Sequence, residues 1–245
     1  MRLKSITRIA RRELRIISGR EQRTRIDCRI EKERFGNEYG GFDVATRYLK
    51  PDSVVYSFGV GEDVSFDLAL IERFGLTVHA FDPTPRSIEW VRRQSFPQEF
   101  VMHEFGIADV DGRVAFHLPL NPAHVSHTIL DTTAASDRTV MAPVRRLSTI
   151  MKELGHDRID VLKMDVEGAE YAVIVDISRS PIRPGQILIE FHHRFPGVGF
   201  EQTRKALDTL KSMGYCLFSV SESGEEYGFL HRKRAGHARQ PDPGT

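Results

Sequence analysis

The stretch from Val54 to Asp82, VVYSFGVGEDVSFDLALIERFGLTVHAFD, constrains the fold more than any other part of the chain. Val54 to Phe58 is short, apolar and rich in β-branched and aromatic residues, the pattern of a strand buried on both faces of a parallel sheet. Gly59 and Gly61 break the run; without a Cβ they permit a tight turn and close approach of a ligand to the main chain. Asp63 caps a predicted helix over Val64 to Phe74, whose Val64, Leu68, Ile71 and Phe74 recur at helical spacing, and Gly75 stops it. A second strand, Leu76 to Phe81, delivers Asp82 about twenty residues beyond the glycines, where nucleotide-binding α/β folds hold a ribose diol.

The chemistry of the turn narrows the ligand. The third glycine of a GxGxxG pattern is replaced by Val64, and Glu62 and Asp63 stand where a pyrophosphate would lie. Two carboxylates repel that anion and not a cation, so the expected ligand is a nucleoside with positive charge. S-adenosylmethionine, a sulfonium that also carries an ammonium group, fits; a purely structural turn is the alternative. Thr84 and Pro85 supply an N-cap and an N1 proline for the next helix, which leaves Asp82 free for the ligand.

A chain of 245 residues, 40% of them hydrophobic, can bury one substantial core, so a single catalytic domain is expected. The net charge of +1 gives no global pull towards nucleic acid or membrane, and no nucleic-acid partner is expected. Two cysteines, Cys28 and Cys216, suit a reducing cytosol, with a bridge between them left open. No apolar run approaches membrane-spanning length and the first residues lack the apolar core of a signal peptide, so a cytoplasmic location is expected. Charge is nevertheless uneven. Residues 1–34 hold twelve Lys/Arg against five Asp/Glu, and Leu3, Ile6, Ala10, Leu14 and Ile17 share one helical face. Such a basic amphipathic helix packs its stripe on the domain or a partner, or lies on an anionic membrane as a peripheral contact. The expected division is a basic extension over 1–39, a catalytic domain over 40–231 and a basic, disordered tail over 232–245. Arg34 to Phe42, RFGNEYGGF, reads as a loop that either covers the cofactor or simply connects, with a short helix following before Pro51.

Beyond Asp82 the pattern predicts a helix from Pro85 to about Gln94 and a strand from Glu99 to Phe105, after which Gly106 to Asp109 leaves the sheet. An additional strand covers Arg113 to Leu118. Pro119 to Asp137 reads as a long loop, a feature that is usually functional or disordered; its His124 and His127 either meet an acceptor or are merely exposed. A helix over Leu147 to Leu154 precedes a strand, Ile159 to Met164, that ends at Asp165. The hexapeptide DVEGAE puts Asp165, Glu167 and Glu170 at the carboxyl end of a buried strand, where open α/β sheets bind ligands. The two glutamates alternatively favour the positive N-terminus of the next helix, Ala169 to Ile177. The following strand, Ile187 to Phe191, carries Glu190 ahead of His192 and His193. Alternation along the chain points Glu190 and His192 the same way, a pair suited to acid/base work near neutral pH or to a structural contact. A helix from Glu201 to Met213 and a hairpin of Tyr215 to Ser221 with Glu226 to His231 complete the pattern.

The motif LKMDVEGAEYAVI, supported by VYSFGVGEDVSFD and HAFDPTP, resembles the FkbM-type methyltransferases from about Gly40 to Leu230. The resemblance implies a class I methyltransferase, Rossmann-like α/β fold: a seven-stranded sheet with its last strand antiparallel and helices on both faces. It implies S-adenosylmethionine as donor and commonly a hydroxyl acceptor on a sugar, glycolipid or secondary metabolite. One departure stands out. The family's aspartate two positions before the first glycine is Ser57 here, which leaves Glu62 or Asp63 to replace its contact, and Gly61 occupies a position where asparagine is common. On this reading Ser57, Phe58, Gly59, Gly61 and Glu62 serve the methionine side, Asp82 and Pro83 the ribose, and Asp109 the adenine. Asp165 holds donor or acceptor, and Glu167, His124 and His127 face a small-molecule or glycan acceptor. His192, oriented by carboxylates such as Glu190, is the first candidate for the base and Asp165 the second. No metal is required by the spacing. The alternatives are an NAD-dependent oxidoreductase on a related doubly wound sheet and a non-catalytic binding domain.

Overall fold

The computed structural model describes residues 2–119 and 135–235. A seven-stranded sheet is built from β1 (Val54–Phe58), β2 (Thr77–Phe81), β3 (Phe100–His103), β4 (Val161–Met164), β5 (Gln186–Glu190), β6 (Tyr215–Val220) and β7 (Glu226–His231). The spatial order is β6-β7-β5-β4-β1-β2-β3. Strands β1 to β5 are parallel, whereas β7 runs antiparallel to both β5 and β6. This is the expected class I methyltransferase sheet. The order reverses between β1 and β4, which opens a crevice at their carboxyl ends.

Alternation along β1 divides the core. Val55 packs with Val78, Val161 and Leu188 on one face, beside helix α2 (Ser65–Phe74). Tyr56 and Phe58 pack with Phe81, Leu162 and Ile189 on the other, beneath α4 (Leu147–Leu154), α5 (Glu170–Ser178) and α6 (Phe200–Ser212). Helix α3 (Pro85–Arg92) contributes Trp90 and Val91 to the first face, so both faces are covered. Each fully buried side chain of the Leu or Phe class is worth about 1.5–3 kcal/mol, so β1 anchors the glycine turn on a rigid base.

Two regions differ from the sequence expectation. Residues 33–44 form a short hairpin, Glu33–Phe35 with Phe42–Val44, that straddles the expected boundary at residue 40, followed by one 3-10 turn, Thr46–Tyr48. The strand beginning at Gly112 pairs with an unexpected antiparallel strand, Ala135–Arg145, which also receives Gly106–Ile107. Its Pro143 and mixed polarity conceal the period-2 signal. Residues 120–134, which hold His124 and His127, and the tail beyond Ala235 lie outside the described residues.

The extension begins with helix α1 (Arg2–Ile17) and then runs along β6, the sheet edge, where the amides of Asp27 and Cys28 both donate to the Leu217 carbonyl. That covers backbone groups an edge would otherwise expose. Cys28 and Cys216 are joined as a disulfide with their Cα atoms 6.0 Å apart, which resolves the open alternative for these two residues. Among the described residues no helix is long and apolar enough to cross a membrane.

Candidate active site

A cavity of about 490 Å³ opens at the carboxyl ends of β1, β2 and β4. Its wall starts at the glycine turn. Gly59 has φ +88°, and a Cβ placed there would lie 1.8 Å from the Asp165 carbonyl oxygen, so only glycine lets the chain pass between β1 and β4. Asp82 holds the turn from the other side. Its Oδ2 accepts from the Val60 and Gly61 amides at 3.1 and 2.9 Å and from Ser87 Oγ at 2.9 Å, while Oδ1 accepts from the Thr84 amide and hydroxyl at 2.8 and 2.6 Å. Asp82 is therefore not free, contrary to the sequence expectation. Thr84 does not cap α3 with its side chain, as expected, but turns its hydroxyl to this carboxylate. Asp82 still lines the cavity beside Pro83, as an anchor of the turn.

The cavity is strongly acidic. Glu62, Asp63, Asp67, Asp82, Asp165 and Glu167 line it, against Lys163 as the one cationic lining residue among the described residues. Glu62 is held by a forked contact from Arg86, with Nε to Oε1 at 2.8 Å and Nη2 to Oε2 at 3.1 Å. That pairing removes much of the repulsion towards anions assigned to Glu62 from sequence. Asp63 is likewise engaged, accepting from the Ser65 amide at 2.8 Å and from Asn37 Nδ2 at 2.6 Å. Asn37 in turn accepts from the amides of Tyr39 and Gly40, so the hairpin loop is tied over the glycine turn as a wall of the cavity.

Two charged residues of this floor escaped the sequence analysis. Asp67 on α2 and Lys163 on β4 are both buried, and both face the cavity. Burial pushes the Asp67 carboxyl above its usual range, with Lys163 opposing the shift. Asp67 Oδ1 and Ser57 Oγ are buried, with Ser57 close enough to draw the Asp67 carboxyl down and no further hydrogen-bond partner for either atom among the described residues, so a ligand or water can complete this pair. The signal was present as an aspartate inside a helical apolar face. The remaining walls are apolar: Phe58 and Phe81, stacked at 4.3 Å, then Ile107 and Phe116.

Behind the Asp165 rim lies a cluster centred on His192. Its Nε2 is 3.5 Å from Asp165 Oδ1 and 3.3 Å from Glu167 Oε2, and its Nδ1 is 3.3 Å from Glu170 Oε1. Burial pulls the imidazole down, but Glu170, Glu167 and Asp165 outweigh it and push the group up to about 10. Burial, and then Asp165, push the Glu190 carboxyl up to about 9 against the pull of His192. The cluster thus favours the protonated forms of both His192 and Glu190. Glu190 and His192 point the same way as alternation predicted, and Asp165 from β4 joins them, each with one ligating atom within 4.8 Å of the others. Glu167 has φ +51°, an uncommon conformation for a side chain of its size.

With this geometry in place, comparison with known proteins is decisive: residues 53–217 match the methyltransferase FkbM domain family. The chain belongs to the FkbM methyltransferase family. S-adenosylmethionine is the methyl donor of this FkbM domain. A human "probable methyltransferase-like protein 24" is 28% identical over 159 residues, covering 64% of this chain and 37% of its own length. The chain thus spans well under half of that relative. The 2-O-methyltransferase NoeI of Sinorhizobium fredii is 25% identical over 177 residues, covering 66% of this chain and 73% of its own. Among solved structures, the methyltransferase FkbM of Methylobacillus flagellatus aligns with 74% of this chain and 44% of its own, at 15% identity and a TM-score of 0.46.

The FkbM domain brings Phe58, Gly59, Gly61, Glu62, Asp82, Pro83, Asp165 and Glu167 to one cavity, as the sequence suggested. Ser57 sits fully buried at the end of the same strand. Asp109 is not brought there. It is exposed, because the chain leaves the sheet after Ile107 to pair with the strand Ala135–Arg145; Gly106, Ile107 and Phe116 line the cavity in its place. His192 and Glu190 also lie outside the lining, and a protonated His192 cannot take a proton. The raised pKa of His192 works against the role of first base expected for it, and its ring contacts here are to Asp165, Glu167 and Glu170.

Proposed function

We propose that the chain transfers a methyl group from S-adenosylmethionine to a hydroxyl on a small-molecule or glycan acceptor, such as a sugar, glycolipid or secondary metabolite. The observation that carries this reading is the lining of the cavity: among the described residues, Asp63, Asp67, Asp82, Asp165 and Glu167, with Glu62 paired to Arg86, against one lysine around a glycine turn, open at a rim that presents Asp165. A cationic donor gains from that field, while an anionic dinucleotide does not. The name of the relative NoeI, a 2-O-methyltransferase, agrees with oxygen as the acceptor atom.

The residues present fit the donor. Gly59 and Gly61 let a ligand approach the main chain, Asp67 and Lys163 offer a carboxyl and an ammonium group to an α-amino acid end, and Phe58, Phe81, Ile107 and Phe116 offer an apolar slot to a flat ring. Ser57 Oγ and Asp67 Oδ1 are the polar atoms such a ligand would satisfy. Bound there, the donor supplies an electrophilic methyl on a sulfonium. With the donor bound, Asp165 would orient the acceptor hydroxyl and receive its proton, the methyl passing to that oxygen and S-adenosylhomocysteine leaving. His192, already protonated, holds Asp165 and Glu167 in place. Orientation of well-placed reactants contributes on the order of 7–11 kcal/mol, against about 10² to 10⁴-fold from a positioned base.

The test is an incubation with carbon-13-methyl donor and a panel of hydroxylated glycans and small metabolites. The expected product is a labelled methoxy carbon by NMR. A label on nitrogen or carbon would overturn the choice of acceptor atom, and donor binding without turnover across the panel would favour a binding module.

A further inference from the structure

Helix α1 carries its apolar side chains outward. Ile6, Leu14 and Ile17 are 62%, 66% and 79% exposed. With about 100° per residue, Ile6, Ala10, Leu14 and Ile17 fall within an arc of about 80°. Arg11, exposed, borders this stripe beyond Leu14, and Arg8, also exposed, lies farther round the helix towards Arg12. The opposite side meets the domain: Arg12 Nη1 donates to the Ser221 carbonyl at 3.0 Å, and Ile16 is half-buried. The expected apolar stripe therefore does not pack on the domain, and it belongs to a segment with twelve Lys/Arg against five Asp/Glu on an otherwise acidic chain.

We infer that this face of α1 docks on an anionic phospholipid bilayer. Three occupants compete for such a surface, and charge decides among them. Nucleic acid would pair with the arginines but would leave Ile6, Leu14 and Ile17 against a polar groove. A second copy would cover the apolar stripe but would bring two basic helices together, like charge on like. A bilayer with anionic headgroups meets both halves: branched side chains enter the acyl boundary while arginines stay at headgroup level.

The docking would not leave the catalytic rim behind. Arg12 ties α1 to the β6–β7 turn, and Arg15 reaches Glu21 at 3.3 Å. Glu21 accepts from Arg194 Nε at 2.8 Å, and Arg194 also pairs with Glu225. Arg194 is two residues beyond His192, and Glu226 pairs with Glu190 across the sheet. The helix is thus braced against the end of β5 that carries the Asp165–His192 cluster. Binding to the bilayer stands on α1 alone; the consequence that acceptors are met at a lipid surface rests on the methyl-transfer reading.

The experiment is co-sedimentation of the whole chain with vesicles of phosphatidylcholine alone and of phosphatidylcholine mixed with phosphatidylglycerol. Pelleting with the anionic vesicles only, weakened by salt, is expected. Each arginine near an anionic surface contributes about fivefold to partitioning, so the double variant Arg8→Ala with Arg11→Ala is expected to lose about twentyfold or more. Both positions are exposed, which leaves the fold intact, and an unchanged melting point checks this. The triple variant Ile6→Glu, Leu14→Glu, Ile17→Glu is expected to abolish pelleting while still being stabilised by S-adenosylhomocysteine. Failure to pellet with anionic vesicles, equal pelleting with neutral ones, or pelleting indifferent to both variants would overturn the inference. So would a dimer, or a complex with duplex nucleic acid, that the triple variant destroys when no vesicle binding is seen. Loss of methyl transfer with vesicle binding retained would strike the enzymatic reading and leave this one standing.

Discussion

Glu170 and His192 are joined twice: Glu170 Oε1 accepts from the His192 amide at 2.9 Å and lies 3.3 Å from His192 Nδ1. Glu170 is fully buried, and its Oε2 accepts from the Gly168 amide at 2.8 Å. One carboxylate therefore links the strained turn after β4 to the end of β5, which keeps the imidazole protonated behind the catalytic rim. Glu170→Gln is expected to lower the His192 pKa from about 10, read from imidazole nitrogen shifts in an NMR titration. A neutral His192 in the unmodified protein near neutral pH would contradict this assignment.

Stability should fall on both sides of neutrality. His192 and Glu190 bind protons more tightly in the folded chain than in the unfolded one, at about 10 and about 9. Their contribution is therefore lost as pH rises from the unfolded values towards these folded ones. His79 and His193 are pulled down to about 4, first of all by burial. Their contribution is full above the ordinary histidine range and is lost as pH falls from there towards about 4. Urea midpoints across pH should show a maximum near neutrality, and a flat profile on the acid side would refute the buried neutral histidines.

Gly59→Ala should be among the most damaging single-methyl changes in the domain. The new Cβ meets a carbonyl oxygen and must also adopt φ +88°, so the loss exceeds the about 1 kcal/mol of an ordinary glycine replacement. The expected outcome is a lowered melting point together with loss of S-adenosylhomocysteine binding. Near-wild-type affinity would show that the turn does not wall the donor site.

Asp82 and Asp165 should fail in different ways. Asp82→Asn withdraws charge from five donors, each such bond being worth about 1.5–3 kcal/mol, so stability and donor affinity should fall together. Asp165→Asn should keep the donor and lower kcat by about 10² to 10⁴-fold. Equal loss of donor affinity in both variants, by calorimetry, would merge the two roles.

The Cys28–Cys216 bridge closes a loop with a sequence separation of 188 residues. Cys28→Ser should cost about 2–5 kcal/mol, measured as a shift in urea midpoint that reducing agent reproduces in the unmodified chain. No difference between oxidised and reduced protein would show that the thiols are not paired in solution.

Much of this architecture is legible in the sequence because one strong local pattern coincided with one strong long-range one. The runs at 54–58, 77–81 and 226–231 combine β-branched or aromatic residues with glycine or turn punctuation, and each forms a strand close to where the pattern puts it. What was illegible depended on contacts between distant segments. Asp82 looked free because Thr84 looked like a cap, and nothing in the order of residues shows that Thr84 and Ser87 both turn towards it. His192 looked like a base because Glu190 two positions earlier seemed to orient it; the carboxylates that surround its ring arrive from Asp165, Glu167 and Glu170, more than twenty residues away. Asp67 was hidden inside an apolar helical face, where a carboxylate is unexpected unless something else meets it.

The central claim is that an acidic cavity selects a cationic methyl donor over an anionic coenzyme. Isothermal titration of the chain with S-adenosylmethionine, and in parallel with NAD, tests it most directly. Saturable one-site heat with S-adenosylmethionine and none with NAD is predicted; heat with NAD and none with S-adenosylmethionine would contradict it.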